Sequence, residues 1–175
     1  YSALVFELQV LFHELGHGLD KVLIKDSVDN TTKLQNFAIP IANQCNQVGC
    51  DTISEDFADW IAAYLLTEAM KEEFAENAND ALKFAAGFIV ASSAWPDIMG
   101  AGGDVAHGYT EARQANILCY TYGGLPELRE ADANSLNYQL ANVLAAYGLD
   151  SVTCENTYQA NATATTTLLG SYISL

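Results

Sequence analysis

The chain has 175 residues, half of them hydrophobic, and sets 22 acidic side chains against 7 Lys plus Arg for a formal net charge of −15. That length and apolar content predict a single domain over residues 1–175 with a real core, and argue against disorder. The charge repels nucleic acid and anionic lipid with no basic patch to offset it, and no run of about 20 apolar residues predicts a membrane span.

In chain order, Tyr1 opens without a basic, apolar leader, so the chain reads as mature or truncated. Residues 2–22 are expected to form a first helix, because Leu4, Leu8, Leu11, Leu15, Leu19 and Val22 recur at three- and four-residue spacing. This stripe should enter the core, leaving His13 and His17 on roughly the opposite side. Lys25 to Thr52 reads as a long polar connection containing Pro40, Cys45 and Cys50; a connection of this length is usually functional or stapled. A second helix is expected from about Ser54 to Glu73, with Phe57, Trp60, Ile61 and Tyr64 as its apolar face and Glu55 and Asp59 directed away from it.

Asn79 or Asp80 can cap a third helix, rich in Ala and Phe, that ends before Pro96. Gly100-Ala101-Gly102-Gly103 marks a loop; with no lysine and no strand–turn–helix pattern, it is not a phosphate loop. A fourth helix should cover about Thr110–Tyr122 and stop at Gly123-Gly124, and a fifth about Glu127–Tyr147, stopping at Gly148. The Ala- and Thr-rich tail after Cys154 is expected to hold a short helix or to pack irregularly. No internal repeat and no convincing β-alternation is present, so the fold class is mainly α with little or no sheet.

The chemistry concentrates in His13-Glu14-Leu15-Gly16-His17. Two histidines four apart project from one side of a helix and can grip one metal ion, and the carboxylate after the first can act on water bound there, as in the H-E-x-x-H signature of zinc peptidases. Catalytic Zn2+ needs a third protein ligand. A histidine six residues after His17 would supply it in one class, but that position is Leu23. A carboxylate from the second helix is the remaining source. Glu55 is the candidate ligand, and Asp59, one turn on, can accept a hydrogen bond from the far ring nitrogen of a ligand histidine. Asp56 lies about 100° around the helix and is the weaker choice. Thr52-Ile53-Ser54-Glu55 also reads as a capping box, in which Glu55 only closes the helix start. Beside the histidine pair, the ligand reading is preferred.

Glu14 is then the expected catalytic base, taking a proton from water and passing it to the leaving amine. His107, with Asp104 three residues earlier, can supply a donor to the tetrahedral intermediate if the carboxylate keeps it charged. A surface loop histidine is the other reading, and position alone does not choose between them.

Cys45, Cys50, Cys119 and Cys154 make an even number, readable as two disulfides in an oxidising compartment or as four reduced thiols. Asn30-Thr31-Thr32 and Asn161-Ala162-Thr163 match the glycosylation acceptor pattern. Few lysines and an acidic balance tilt the expectation towards an extracytoplasmic or secreted protein.

These residues, with the following Gly18-Leu19 and with Glu55-Asp56-Phe57-Ala58-Asp59-Trp60-Ile61-Ala62, resemble a bacterial family of metallopeptidase-type domains of unknown function. That family pairs H-E-L-G-H-A-L with E-D-x-A-D-x-x-A. Its later block of histidine, arginine, asparagine-isoleucine and cysteine is matched by His107 to Cys119, followed by Tyr122-Gly123, and its final cysteine by Cys154. The resemblance spans about residues 3–170. It implies a gluzincin-like, zincin-type helical domain with a zinc site of His13, His17 and Glu55, Glu14 as base and His107 in the active site. It also implies a Cys119–Cys154 disulfide and an Arg113 that braces its helix through an acidic partner. Two departures stand out. The connection between the first two helices is much longer here and carries Cys45 and Cys50, and the upstream sheet that zincins usually carry would have to precede Tyr1.

The expectation is therefore a secreted zinc metallopeptidase acting on a peptide or protein substrate. The alternatives are a non-catalytic binding or assembly protein that keeps the metal site, and a metal-dependent hydrolase of a non-peptide amide.

Overall fold

In the computed structural model the described residues are 2–23, 53–73, 110–126 and 136–173. The expected third helix, the Lys25–Thr52 connection, the Gly100–Gly103 loop and residues 127–135 of the expected fifth helix lie outside them. Five helices are described: α1 (Ser2–Leu23), α2 (Ile53–Glu73), α3 (Thr110–Gly124), α4 (Leu136–Ala146) and α5 (Ser151–Ile173). No strand occurs among the described residues, as the mainly α expectation requires. None of these helices is long and apolar enough to cross a membrane.

α2 is the centre of the packing. Glu55 and Asp56 in its first turn and Lys71 in its last complement the helix dipole. Phe57, Trp60, Ile61, Leu66 and Met70 are buried, and Ala58, Ala62 and Ala63 fill the sides where neighbours come close. α1 and α3 pack against α2, and α5 packs against α3. Tyr64, expected in the apolar face, is only half-buried. With helices on several sides, α2 is apolar around most of its circumference rather than amphipathic.

α1 departs from its expected orientation. Leu11 is 61% exposed and Leu15 48% exposed, while Leu8, Phe12 and Leu19 pack against the core and Gln9 and Gly16 are buried beside them. The face carrying Gly16 and His13 is the one turned to α2. The cause is steric: a Cβ on Gly16 would sit 2.7 Å from the Ala58 Cα and 3.1 Å from its carbonyl oxygen. Absence of that Cβ lets the two backbones approach at this point, which outweighs burying two leucines.

α4 ends in a Schellman turn. Leu149 N–H donates to the Leu144 carbonyl and Gly148 N–H to that of Ala145, both at 3.0 Å, with Gly148 at φ 73°. Two residues on, the Asp150 carboxylate accepts from the Thr153 N–H at 2.7 Å and caps α5.

α5 is a 23-residue helix, not a short or irregular tail. Its buried face is Cys154, Thr157, Tyr158, Asn161 and Thr165, a stripe at helical spacing that hydropathy does not register because most of its members are polar. The threonines satisfy themselves by bonding back one turn: Thr163, Thr165, Thr166 and Thr167 hydroxyls donate to the carbonyls of Gln159, Asn161, Ala162 and Thr163 at 2.7–2.9 Å.

Candidate metal centre

The close crossing at Gly16 and Ala58 brings the N-terminal half of α2 against the middle of α1. On α1, His13 and His17 are one turn apart, with ring centroids at 4.7 Å and planes perpendicular. On α2, Glu55 and Asp59 are likewise one turn apart, so both pairs present their side chains along a shared seam.

The Nε2 atoms of His13 and His17 face each other at 3.1 Å. The Glu55 carboxylate completes the group, with Oε2 at 3.2 Å from His13 Nε2 and Oε1 at 3.3 Å from His17 Nε2. One donor atom from each of the three residues lies within 4.8 Å of the others, and together they can hold a metal ion. Asp56 takes no part in this group. The carboxylate of Glu55 thus reaches across to both histidines of α1.

Behind the triangle stands a charged support. Asp59 is buried; its Oδ1 accepts from His13 Nδ1 at 2.9 Å. Arg113, in the first turns of α3 and 3% exposed, donates from Nε to Asp59 Oδ2 at 2.6 Å and from Nη2 to Oδ1 at 2.8 Å. Arg113 thus has its acidic partner in Asp59. The same Nη2 stands 3.8 Å from Glu55 Oε2. On the outer side, the Ser54 hydroxyl approaches His17 Nδ1 at 3.5 Å. His17 is the more open of the two histidines, at 22% side-chain exposure against 13%.

Electrostatics follow from these contacts. Burial disfavours the charged form of His13, but hydrogen bonds to Asp59 and Glu55 outweigh it and push its pKa up to about 9. Burial opposes ionisation of Asp59, and Arg113 and His13 reverse this, holding its carboxyl below the usual range.

Glu14 is exposed on α1, about 100° around the helix from His13, and is not one of the three grouped donors. His107, Asp104, Cys45 and Cys50 lie outside the described residues. Cys119 and Cys154 form a disulfide that joins α3 to α5, with both cysteines buried; such a bond suggests an oxidising compartment. Asn161 is 2% exposed and its side chain bonds the buried Tyr120, so the Asn161-Ala162-Thr163 acceptor pattern is closed to glycosylation in the folded chain.

Ser54 and Gly16 also shape the centre, and the sequence marks only the second of them. Ser54 reads as part of a cap, and nothing in its spacing points to His17. Gly16 carried a signal, a glycine inside a strong helical pattern, which often marks close backbone approach. Described residues and site together define a helical protein with a His-His-Glu group able to hold a metal ion. Compared with known proteins, the chain matches no family model, no curated protein and no solved structure.

Proposed function

We propose that this chain is a zinc-dependent peptidase domain, with His13, His17 and Glu55 as ligands and Glu14 as general base. The observation that carries the reading is the convergence of two imidazole Nε2 atoms and one carboxylate within 4.8 Å, on residues that also spell H-E-x-x-H. The two Nε2 atoms stand 3.1 Å apart and each meets a different oxygen of the Glu55 carboxylate, at 3.2 and 3.3 Å; bonds of about 2.0–2.1 Å in a tetrahedron put donors roughly 3.3 Å apart. Nitrogen and oxygen donors, with a carboxylate orienting one histidine, favour zinc over the harder cations that take oxygen alone.

Bound there, zinc would polarise a substrate carbonyl and lower the pKa of a coordinated water to about 7. The chain's own residues do the rest. Asp59 holds the proton on His13 Nδ1 and so keeps Nε2 directed at the ligand triangle. Glu14, on the open side of α1, takes a proton from the attacking water and delivers it to the leaving amine. His107, supported by Asp104, is assigned as the donor that stabilises the tetrahedral oxyanion. The resemblance to the bacterial metallopeptidase-type family belongs to this reading, as do a zincin-type fold, a peptide or protein substrate and secretion. The Cys119–Cys154 disulfide supports the last of these.

The seam tying α1, α2 and α3 also favours a second reading, in which the metal is structural in a binding or assembly protein. Glu14→Gln separates the two. The peptidase reading expects stoichiometric zinc, chelator-sensitive cleavage within a broad peptide library, and loss of cleavage with zinc retained in Glu14→Gln. A protein that takes up zinc but cleaves nothing in the library overturns it in favour of the structural role.

A further inference from the structure

We propose that Ser54 is the positioning residue of His17, serving that ring as Asp59 serves His13; the inference rests on the zinc-site reading above. Both imidazoles turn Nε2 towards the ligand triangle, where the two atoms stand 3.1 Å apart and each meets a Glu55 oxygen, at 3.2 and 3.3 Å. Each ring therefore turns Nδ1 away from the triangle. An imidazole that binds an ion through Nε2 carries its proton on Nδ1, and that N–H needs an acceptor to fix the ring. For His13 the acceptor is the buried Asp59 carboxylate, at 2.9 Å. For His17 the group facing Nδ1 is the Ser54 hydroxyl, at 3.5 Å across the seam between α1 and α2.

The two supports differ in kind. Asp59 is an acceptor gripped by two Arg113 bonds, at 2.6 and 2.8 Å, so it takes His13 with the proton on Nδ1 only. A hydroxyl both accepts and donates, and its proton rotates to suit. Ser54 can accept from His17 Nδ1–H when Nε2 binds the ion, and can donate to Nδ1 when the ring proton sits on Nε2 in the metal-free chain. His17 is then held in either state without a third carboxylate beside Glu55 and Asp59. The contact is long for a hydrogen bond, and His17 is the more exposed ring, at 22% against 13%. His13 is thus the anchored ligand and His17 the adaptable one. Ser54 is the second residue of α2 and directly precedes Glu55, so the first turn of this helix supplies both a ligand and the support of another.

The test titrates the full chain with zinc against a competing chelator, and loads it with cobalt for proton NMR, in the native protein, Ser54→Ala and Ser54→Thr. Cobalt shifts the Nδ1–H protons of bound histidines clear of the other signals, and the native protein is expected to show one for each ligand histidine. In Ser54→Ala one of them broadens through faster exchange with water while the other persists. Zinc affinity there falls by about three- to tenfold, short of the larger losses that charged outer partners give, because the hydroxyl is neutral and exposed. Ser54→Thr keeps the hydroxyl, so both signals remain and affinity stays within about twofold of native. A Ser54→Ala protein with native affinity and both signals overturns the proposal, even if its metal-free fold is weakened, since weakening alone is what a helix cap predicts. Equal losses in the threonine and alanine variants overturn it too. Should the unmodified protein take up neither zinc nor cobalt, the metal centre itself falls, and this role with it.

Discussion

Gly16→Ala tests whether the close helix crossing is what assembles the centre. A Cβ at this position would lie 2.7 Å from Ala58 Cα, 3.1 Å from its carbonyl oxygen and 3.3 Å from its Cβ. Two of these are backbone atoms that cannot rotate away, so α1 and α2 must part by about 1 Å to restore ordinary contact. Overpacking of this kind costs about 1–3 kcal/mol, and replacing a helical glycine by alanine returns about 1 kcal/mol. The metal-free fold should therefore lose up to about 2 kcal/mol. The effect on metal binding is larger, because His13 and His17 stand on one helix and Glu55 on the other, with contacts of 3.2 and 3.3 Å spanning the gap. An added 1 Å would leave a donor pair near the about 4.2 Å limit reached when two bonds of about 2.1 Å lie in line, so zinc affinity is expected to fall at least about tenfold. Gly18→Ala is the control, since nothing lies within 4 Å of a Cβ there. Two residues further along the same exposed helix, it should stabilise by up to about 1 kcal/mol and leave zinc untouched. Urea denaturation of the metal-free proteins and zinc titration against a competing chelator measure both quantities. A Gly16→Ala protein as stable as Gly18→Ala, with unchanged zinc affinity, refutes the argument.

Further expectations come from the same contacts. Removing the Cys119–Cys154 bond, which closes a separation of 35 residues, should cost about 4 kcal/mol on the chain-entropy estimate; a double alanine variant melting with the native protein would contradict this. Because His13 is raised to about 9, its contribution to the metal-free fold is fully present below its ordinary value of 6.5 and is lost as pH rises through about 9. Zinc must displace that proton, so apparent affinity should climb about tenfold per pH unit and level off near pH 9; a flat profile over this range counts against His13 as a ligand. Replacing the buried pair together, as Asp59→Leu with Arg113→Met, should leave the metal-free fold within about 2 kcal/mol of native, whereas Asp59→Leu alone strands a buried cation and costs about 3–5 kcal/mol. Denaturation of the double variant at the summed loss of its two single variants would sink this.

How much was legible depended on how local the information was. The His-His-Glu group able to hold a metal ion is legible because His13 and His17 stand at i,i+4 spacing on one helix, and Glu55, one turn before Asp59, on another. Only their meeting required the fold. The orientation of α1 is not legible in its hydropathy because leucines dominate the stripe while Gly16, where the two backbones come closest, contributes almost nothing to it. Leu11 and Leu15 then stay outside. α5 was undervalued for the complementary reason: its buried stripe of Thr157, Asn161 and Thr165 is polar and is paid for by hydrogen bonds that composition does not show. The Cys119–Cys154 pairing followed from resemblance alone, since four cysteines allow several connections.

The arrangement of charge behind the centre bears on why such a costly motif is kept. A buried carboxylate and guanidinium are expensive to desolvate, and an apolar pair of similar size would hold α2 against α3 about as well. Stability of the fold therefore does not explain Asp59 and Arg113. Their geometry has a second consequence that an apolar pair lacks: it aims one imidazole nitrogen of His13 across the seam and occupies the other. Gly16 adds the matching constraint from the α1 side by setting the distance between the helices. Two independent devices, one steric and one electrostatic, thus converge on the same three residues. Coincidental histidines on a helix face would need neither.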